Sequence, residues 1–465
     1  MSLKYEKIIK QMTLEEKARM MSGKNTWETV DFPGYGIPSM CLSDGPHGLR
    51  RQAGAGDHLG LNASLPATCF PTAASVANSW DEQLGEEIGT ALAEEAVTMG
   101  ANVILGPGLN IKRSPLCGRN FEYFSEDPYH AGKMAASYIR GIQSQGIAAC
   151  PKHFAANSQE LRRMANDSVV DERTFRELYT TGFEIAVKEG KAKSIMSSYN
   201  EVNGIYANEN SHMLQEILVD EWGFDGFVVS DWGGSNDHAL GVKNGSHLEM
   251  PGTGNSGVYD IVQAVKNGNL TEEVLDQRLD ELLTVIFDTH QATEEKKGAS
   301  FDIEAHHKLA RKAAQESIVL LKNEDNILPL QPGTKVAVIG DFAQTPRYQG
   351  AGSSLVNPAK QPESILNEIG NSGLEMIVFE QGYRRNKKGD AKLIERAKEA
   401  AKKAEVVLIF AGLDEISESE GLDRTHMNMP QAQNMLIDEI STVNPNVVVV
   451  LSAGSAVEMP WYSSS

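Results

Sequence analysis

The chain contains no apolar run near the roughly 18 residues needed to cross a bilayer. Its first residues, Met1 to Lys7, lack the apolar stretch of a secretory leader. Cysteine is scarce: Cys41, Cys69, Cys117 and Cys150 lie far apart with no C-x-x-C pair. That spacing argues against a zinc site or a disulfide framework and suits reduced, buried thiols. Together these absences make a cytoplasmic protein with no membrane partner the expectation. Positive charge is also the minority sign, with 43 Lys and Arg against 63 Asp and Glu and a formal charge of −20. A surface that acidic repels phosphate backbones and anionic lipids, so nucleic acid is not an expected partner. A small neutral or cationic ligand is.

At 465 residues and 41% hydrophobic composition, the chain is too long for one ordinary core, and two domains are expected. Thr13 and Glu16 have capping-box spacing, and Gly23 stands where the helix they start would stop. From about residue 80, helical and strand patterns alternate. A helix is expected over 81–98 and a buried strand over 103–105. Another helix over 173–189 precedes a strand over 194–198; a helix over 212–222 precedes a strand over 227–229. Strand starts near 194 and 227 are about one βα unit apart, as a parallel barrel requires. Such a barrel places chemistry just beyond the carboxyl ends of its strands. Polar clusters fall there: residues 110–127, Lys152-His153, Tyr199-Asn200-Glu201 and Asp231-Trp232-Gly233.

The pattern therefore predicts an α/β protein with an N-terminal (β/α)8-like TIM barrel over 1–287. A polar linker over 288–304 then leads to an α/β open-sheet sandwich domain over 305–465. In the second domain a helix is expected over 307–321, with strands near 335–340, 376–379, 406–411 and 447–451. Residues 460–465 follow the last strand with no closing helix, so the sandwich reads as incomplete. A second chain completing it and self-association into a homo-oligomer are the corresponding partner expectations.

Five motifs in this order resemble glycoside hydrolase family 3, the β-glucosidase branch in particular. They are Leu42-Ser43-Asp44-Gly45-Pro46-His47-Gly48-Leu49-Arg50, Gly118-Arg119-Asn120-Phe121-Glu122, Pro151-Lys152-His153-Phe154, Val229-Ser230-Asp231-Trp232-Gly233 and Ser317-Ile318-Val319-Leu320-Leu321-Lys322-Asn323. The resemblance implies a barrel followed by a six-stranded sandwich, a carbohydrate substrate, no metal and no organic cofactor. It also implies hydrolysis of terminal β-linked sugars with retention. Asp231 is then the nucleophile, and the acid/base is a Glu of the second domain. That Glu maps to Glu420 in Ser417-Glu418-Ser419-Glu420-Gly421-Leu422-Asp423-Arg424, with Glu418 as the alternative.

A retaining glycosidase needs one ionised and one protonated carboxyl about 5–5.5 Å apart. Residues 231 and 420 are distant in sequence, so the site is expected where the two domains meet. By the same resemblance Asp44 accepts hydrogen bonds from sugar hydroxyls, and Lys152, His153 and Arg119 donate to them. Arg50, Arg163 and Met196 join this shell, Tyr199 orients the nucleophile and Trp232 packs on the sugar. Ser353 reaches in from the second domain. Cations near Asp231 favour its ionised form.

Read in isolation, these residues have blander roles: an Asp after a strand caps a helix, and Asp44-Gly45-Pro46 is a turn. The rival enzyme readings fail on sequence. The N-acetylglucosaminidase branch of the family follows Lys-His-Phe with Pro-Gly-His, where this chain has Ala155-Ala156-Asn157. A dinucleotide fingerprint at Gly340 and Gly350-Ala351-Gly352 has the wrong spacing and lacks its third glycine. Trp232 tilts the sugar towards glucose over xylose, with galactose and arabinose left open. A sugar-binding fragment without activity is the remaining alternative.

Overall fold

Five short parallel strands carry the first half of the chain: β1 (Leu42–Asp44), β2 (Val103–Leu105), β3 (Ala148–Ala149), β4 (Ser194–Met196) and β5 (Phe227–Val229). Each is buried along its whole length, as strands covered on both faces must be. β1 pairs with β2, β2 with β3, and β4 with β5, all parallel. Single parallel bridges extend the circuit, from Phe154 to Ser197, from Val229 to Leu248 and from Glu249 to Ser22. Antiparallel bridges Gly23–Thr29 and Glu28–Cys41 return it to the start of β1. The first half is thus a closed, barrel-like ring.

The structure, a computed structural model, describes residues 3–52, 56, 62–385 and 389–463. Two compact units emerge. The first comprises Met1–Ser114, Glu122–Ser317 and Gly352–Lys360; the second comprises Pro115–Phe121, Ile318–Ala351 and Gln361–Ser465. No helix among the described residues is long and apolar enough to cross a membrane.

Helices with sequence-encoded starts wrap the ring. Thr13 caps Leu14–Met20, and Glu16 reaches back to its backbone, completing the capping box. Gly23 is not the stop signal of that helix, which ends at Met20 with Met21 as its C-cap. Its lack of a side chain serves packing instead, since a Cβ there would lie 2.5 Å from Met250 Sδ. Asp81 caps Glu82–Thr98 and Asp127 caps Pro128–Gln143, each accepting two backbone N–H groups. Burial pushes the Cys41, Cys69 and Cys150 thiols up to about 11, 12 and 12, and all four cysteines are unbridged.

The expected linker over 288–304 is largely helix. Glu272–Lys296 is a single helix whose Asp288, Glu294, Glu295 and Lys296 are exposed while Val285, Ile286, Thr289 and Thr293 are buried. A second helix, Ile303–Glu316, also belongs to the first unit, so the boundary falls after Ser317 rather than before residue 305. That helix stops short of the expected Leu321. The Ser317 hydroxyl bonds back to the Ala313 carbonyl, and the β-branched pair Ile318-Val319 does not continue the helix. Ile318 to Leu321 are exposed.

His306 pins this helix to the barrel. Its Nδ1 lies 2.8 Å from Glu95 Oε1 and its Nε2 3.0 Å from Glu94 Oε2. Burial alone would lower the proton affinity of His306, but the hydrogen bonds its ring donates to Glu95 and Glu94 outweigh it and hold the pKa above the ordinary histidine value. A raised folded-state pKa contributes stability that is fully present below about pH 6.5 and is lost as pH rises through the folded value. His306→Gln should therefore lower the melting temperature more at pH 5.5 than at pH 9. A loss of about 2 kcal/mol at the lower pH follows from charge-assisted bonds of this kind. Equal losses at both pH values, read by thermal melts, would rule out the charged pairing.

The second unit is built on β6 (Lys335–Ile339), β7 (Glu375–Glu380), β8 (Val406–Gly412) and β9 (Val447–Ser452). They form one parallel sheet in the order β7-β6-β8-β9. Among the described residues this sheet has four strands, where the resemblance implied six. One face packs Ala337, Ile339, Val407 and Ile409 against Leu436, Ile437 and Ile440 of the helix Gln431–Ser441. The other packs Val336 and Val338 against Phe342 and Ile369. A parallel sheet covered on both sides suits central strands as rich in Val, Ile and Ala as Lys335–Ile339 and Val406–Gly412.

Candidate active site

At the carboxyl ends of the barrel strands the first unit gathers most of the expected site residues. Asp44 is the last residue of β1 and is buried. Arg50 Nη1 lies 3.4 Å from its Oδ2 and Lys152 Nζ 3.4 Å from its Oδ1. Lys152 also faces Glu122 Oε1 at 3.6 Å. These four buried groups alternate in sign, so each carboxylate sits beside a cation and none is left uncompensated. Glu122 belongs to the Arg119-Asn120-Phe121-Glu122 motif, but nothing in the sequence assigns it this role.

Asp231 lies two residues beyond β5. The Trp232 backbone N–H donates to its Oδ1 at 2.7 Å, and His153 Nε2 lies 3.5 Å from its Oδ2. His153 is positioned by Asn110, which accepts from the His153 backbone N–H at 2.7 Å and donates to its carbonyl at 2.8 Å. The Tyr199 hydroxyl donates to the Trp232 carbonyl at 2.9 Å, gripping the backbone next to Asp231. Arg163 covers the Tyr199 ring at 4.8 Å and pairs with Glu160 at 2.9 Å. Met196 closes β4 beside Val229 and is buried.

Trp232 is braced by residues that carry no motif. Its ring packs at 5.1 Å against Trp27, its indole N–H donates to the Thr26 carbonyl, and Trp27 in turn donates to Gln52. Ser353 was expected on the second domain, yet it belongs to the first unit. Residues 352–360 fold back onto the barrel: Arg50 Nη1 donates to the Ser353 carbonyl at 3.1 Å, and Val356 packs in the barrel core with Leu49.

Arg119 shows the reverse displacement. Although its sequence position lies among the barrel strands, Pro115–Phe121 belongs to the second unit. There Arg119 Nη1 lies 3.6 Å from Glu420 Oε1. The loop carrying Glu420 is tied to this segment, since Arg424 N–H donates to Leu116 O at 2.8 Å and Gly118 N–H to Asp423 Oδ1 at 3.1 Å. On its other side, Glu420 N–H donates to Ala351 O at 2.9 Å.

Glu418 and Glu420 differ in surroundings. Glu418 is buried, with Arg347 Nη1 at 2.5 Å and bonds from Gly454 N–H and Ser455 Oγ at 2.9 and 3.0 Å. Glu420 is partly open, its side chain 17% exposed. Gly118 makes the close approach between loop and segment feasible: a Cβ there would lie 1.7 Å from the Leu422 carbonyl and 2.4 Å from that of Ser419. Gly118→Ala must displace the loop that carries Glu420. A displacement near 1 Å costs on the order of 10²-fold in rate at a positioned group. Steady-state kinetics beside a melting curve checks this: a large fall in kcat/KM with a small change in melting temperature is expected.

Comparison with known proteins supplies the family context. Residues 55–285 match the family model described as Glycosyl hydrolase family 3 N terminal domain, and residues 318–465 match Glycosyl hydrolase family 3 C-terminal domain. The chain is 52% identical to thermostable beta-glucosidase B of Acetivibrio thermocellus over 99% of its own length and 61% of that protein. It is 44% identical to an exo-alpha-(1->6)-L-arabinopyranosidase of Bifidobacterium longum, over 97% of this chain and 61% of that one. The crystal structure of the Bifidobacterium adolescentis GH3 beta-glucosidase superposes with a TM-score of 0.92 at 42% identity, covering 98% of this chain and 65% of that one. The chain thus spans about three fifths of the length of the curated relatives it matches.

Proposed function

Because the chain belongs to glycosyl hydrolase family 3, we propose that it is a retaining, exo-acting β-glycosidase that releases terminal β-D-glucose. One observation carries the reading. Asp231 stands at a barrel strand's carboxyl end with an N–H donor on one oxygen and an imidazole nitrogen facing the other. An ionised, oriented carboxylate in a shell of Asp, Lys, Arg and His side chains is what attack on a sugar carbon requires.

In the first step an Asp231 oxygen bonds to the anomeric carbon while the bond from that carbon to the leaving oxygen breaks. Glu420 gives its proton to the leaving oxygen. In the second step water attacks the same carbon, its proton returns to Glu420 and the ester bond to Asp231 breaks. Two inversions leave the configuration retained. The mechanism requires the two carboxyls about 5–5.5 Å apart. Glu420 suits the acid/base role better than Glu418, because Glu418 is already committed to Arg347, Gly454 and Ser455. The Asp44 carboxylate, held between Arg50 and Lys152, would accept from two neighbouring sugar hydroxyls, and Arg119 would hold Glu420.

The name of the Acetivibrio relative supports glucose, and that of the Bifidobacterium longum relative supports α-L-arabinopyranose as the second reading. Kinetics on the 4-nitrophenyl β-D-glucoside, β-D-xyloside, β-D-galactoside and α-L-arabinopyranoside separates these sugars, with the glucoside expected to show the highest kcat/KM. Proton NMR of the glucose first released should show the β anomer. The α anomer first would contradict a retaining mechanism, and no turnover on any of the four would contradict the activity.

A further inference from the structure

The polar chain through His153 does not end at the ring. Its Nε2 faces Asp231 Oδ2 at 3.5 Å. On the opposite side, Nδ1 lies 3.2 Å from the Tyr123 hydroxyl and 3.3 Å from Asn110 Oδ1. Tyr123 is buried and approaches the imidazole edge-on, with ring centroids 6.2 Å apart at 81°. Asn110 is held by both backbone groups of His153, and that pairing makes Oδ1 the atom facing Nδ1.

We propose that Tyr123 is a positioning residue for the nucleophile: its hydroxyl selects the imidazole tautomer that aims an N–H at Asp231. The inference rests on the retaining reading for its kinetic consequence, though not for its structural one. A neutral imidazole has one donor and one acceptor nitrogen. Asn110 Oδ1 can only accept, so alone it favours a proton on Nδ1 and turns the Nε2 lone pair towards the Asp231 carboxylate. The Tyr123 hydroxyl can donate. With its hydrogen on Nδ1, the proton sits on Nε2, the nitrogen that faces Asp231 Oδ2 at 3.5 Å. When the ring is protonated, the same hydroxyl and Asn110 Oδ1 both accept, and Nε2–H still faces Asp231. Tyr123 thereby keeps an N–H facing Asp231 in either charge state, and a donor dipole turned towards a carboxylate favours its ionised form.

Other charged and titratable groups surround the pair. Lys152 carries its partners Asp44 and Glu122, Cys150 lies behind β3, and Tyr199 with Arg163 flanks Trp232. Tyr123→Phe changes none of them and removes one hydroxyl. Without it only Asn110 bears on Nδ1 and favours a proton there, so losing the last shared proton would leave a bare Nε2 against the carboxylate; the Asp231–His153 pair therefore keeps that proton, held on the imidazole, to higher pH.

The test has two arms on the full chain. Nitrogen-15 NMR of the imidazole, assigned against His153→Gln, should show the neutral wild-type ring protonated on Nε2 and the Tyr123→Phe ring on Nδ1. The acid limb of kcat/KM against pH should move up by about one unit in Tyr123→Phe. A wild-type ring protonated on Nδ1 overturns the proposal even if the variant fails to fold. An unmoved acid limb with a uniform fall in rate also overturns it, reducing Tyr123 to packing. Failure of the wild type to hydrolyse any glycoside refutes the glycosidase reading alone, since the tautomer measurement does not need activity.

Discussion

Asp231→Ala should lower kcat/KM for 4-nitrophenyl β-D-glucoside by on the order of 10⁴-fold or more, the scale of losing a covalent nucleophile. On the proposed mechanism the removed group is the one that would form the glycosyl ester, and His153, whose Nε2 lies 3.5 Å from Asp231 Oδ2, offers no carboxylate in its place. The fold should survive. The Trp232 N–H that donates to Asp231 is a neighbour in the chain, and Tyr199 independently holds the Trp232 carbonyl. Azide should occupy the vacated space and attack from the same side as the lost carboxylate. The product is then α-glucosyl azide, formed with a single inversion.

The second large effect distinguishes two glutamates of one loop. Glu420→Ala should cost about 10²- to 10⁴-fold on glucosides with poor leaving groups, the usual range for a lost general acid. The loss should shrink on 2,4-dinitrophenyl β-D-glucoside, whose leaving group needs no proton. Azide should now attack the glycosyl ester and yield β-glucosyl azide. Glu418→Ala should act differently. It leaves the buried Arg347 without its carboxylate, and removing one partner of a buried pair costs about 3–5 kcal/mol. The melting temperature should fall in Glu418→Ala and hold in Glu420→Ala, while the leaving-group dependence changes in Glu420→Ala alone. A leaving-group-dependent loss in Glu418→Ala with a stable fold would exchange the two roles.

Strands buried on both faces were legible as strings of Val, Ile and Leu, because nothing polar interrupts them at Val103–Leu105, Phe227–Val229 or Val406–Gly412. The polar segment after residue 288 misled for an equally physical reason. A helix with one buried stripe carries charged residues on its outer face, and at 288–296 those dominate the local composition. Unit membership was hidden too. That Arg119 folds with the second unit and Ser353 with the first depends on tertiary contacts between distant segments, such as Arg424 with Leu116 and Arg50 with Ser353.

At the site, residues in compact motifs were readable and their supports were not. Asp44, Lys152, His153 and Asp231 stand at, or within four residues of, the carboxyl ends of strands, where chemistry is expected. Asn110 and Tyr123 touch His153, Trp27 packs on Trp232 and Gln52 holds Trp27, and no spacing rule marks them. The acidic loop 414–420 offers several carboxylates to any reader of the sequence; only the Arg347, Gly454 and Ser455 contacts separate Glu418 from Glu420.

The central claim, that Asp231 forms a covalent bond to the sugar, is tested most directly by trapping. Incubation with 2,4-dinitrophenyl 2-deoxy-2-fluoro-β-D-glucoside slows both steps, and its activated leaving group lets the first proceed. Peptide mass spectrometry of the inactivated protein should place one fluoroglucosyl group on Asp231. A label on any other residue, or unlabelled protein that still hydrolyses the parent glucoside, would contradict it.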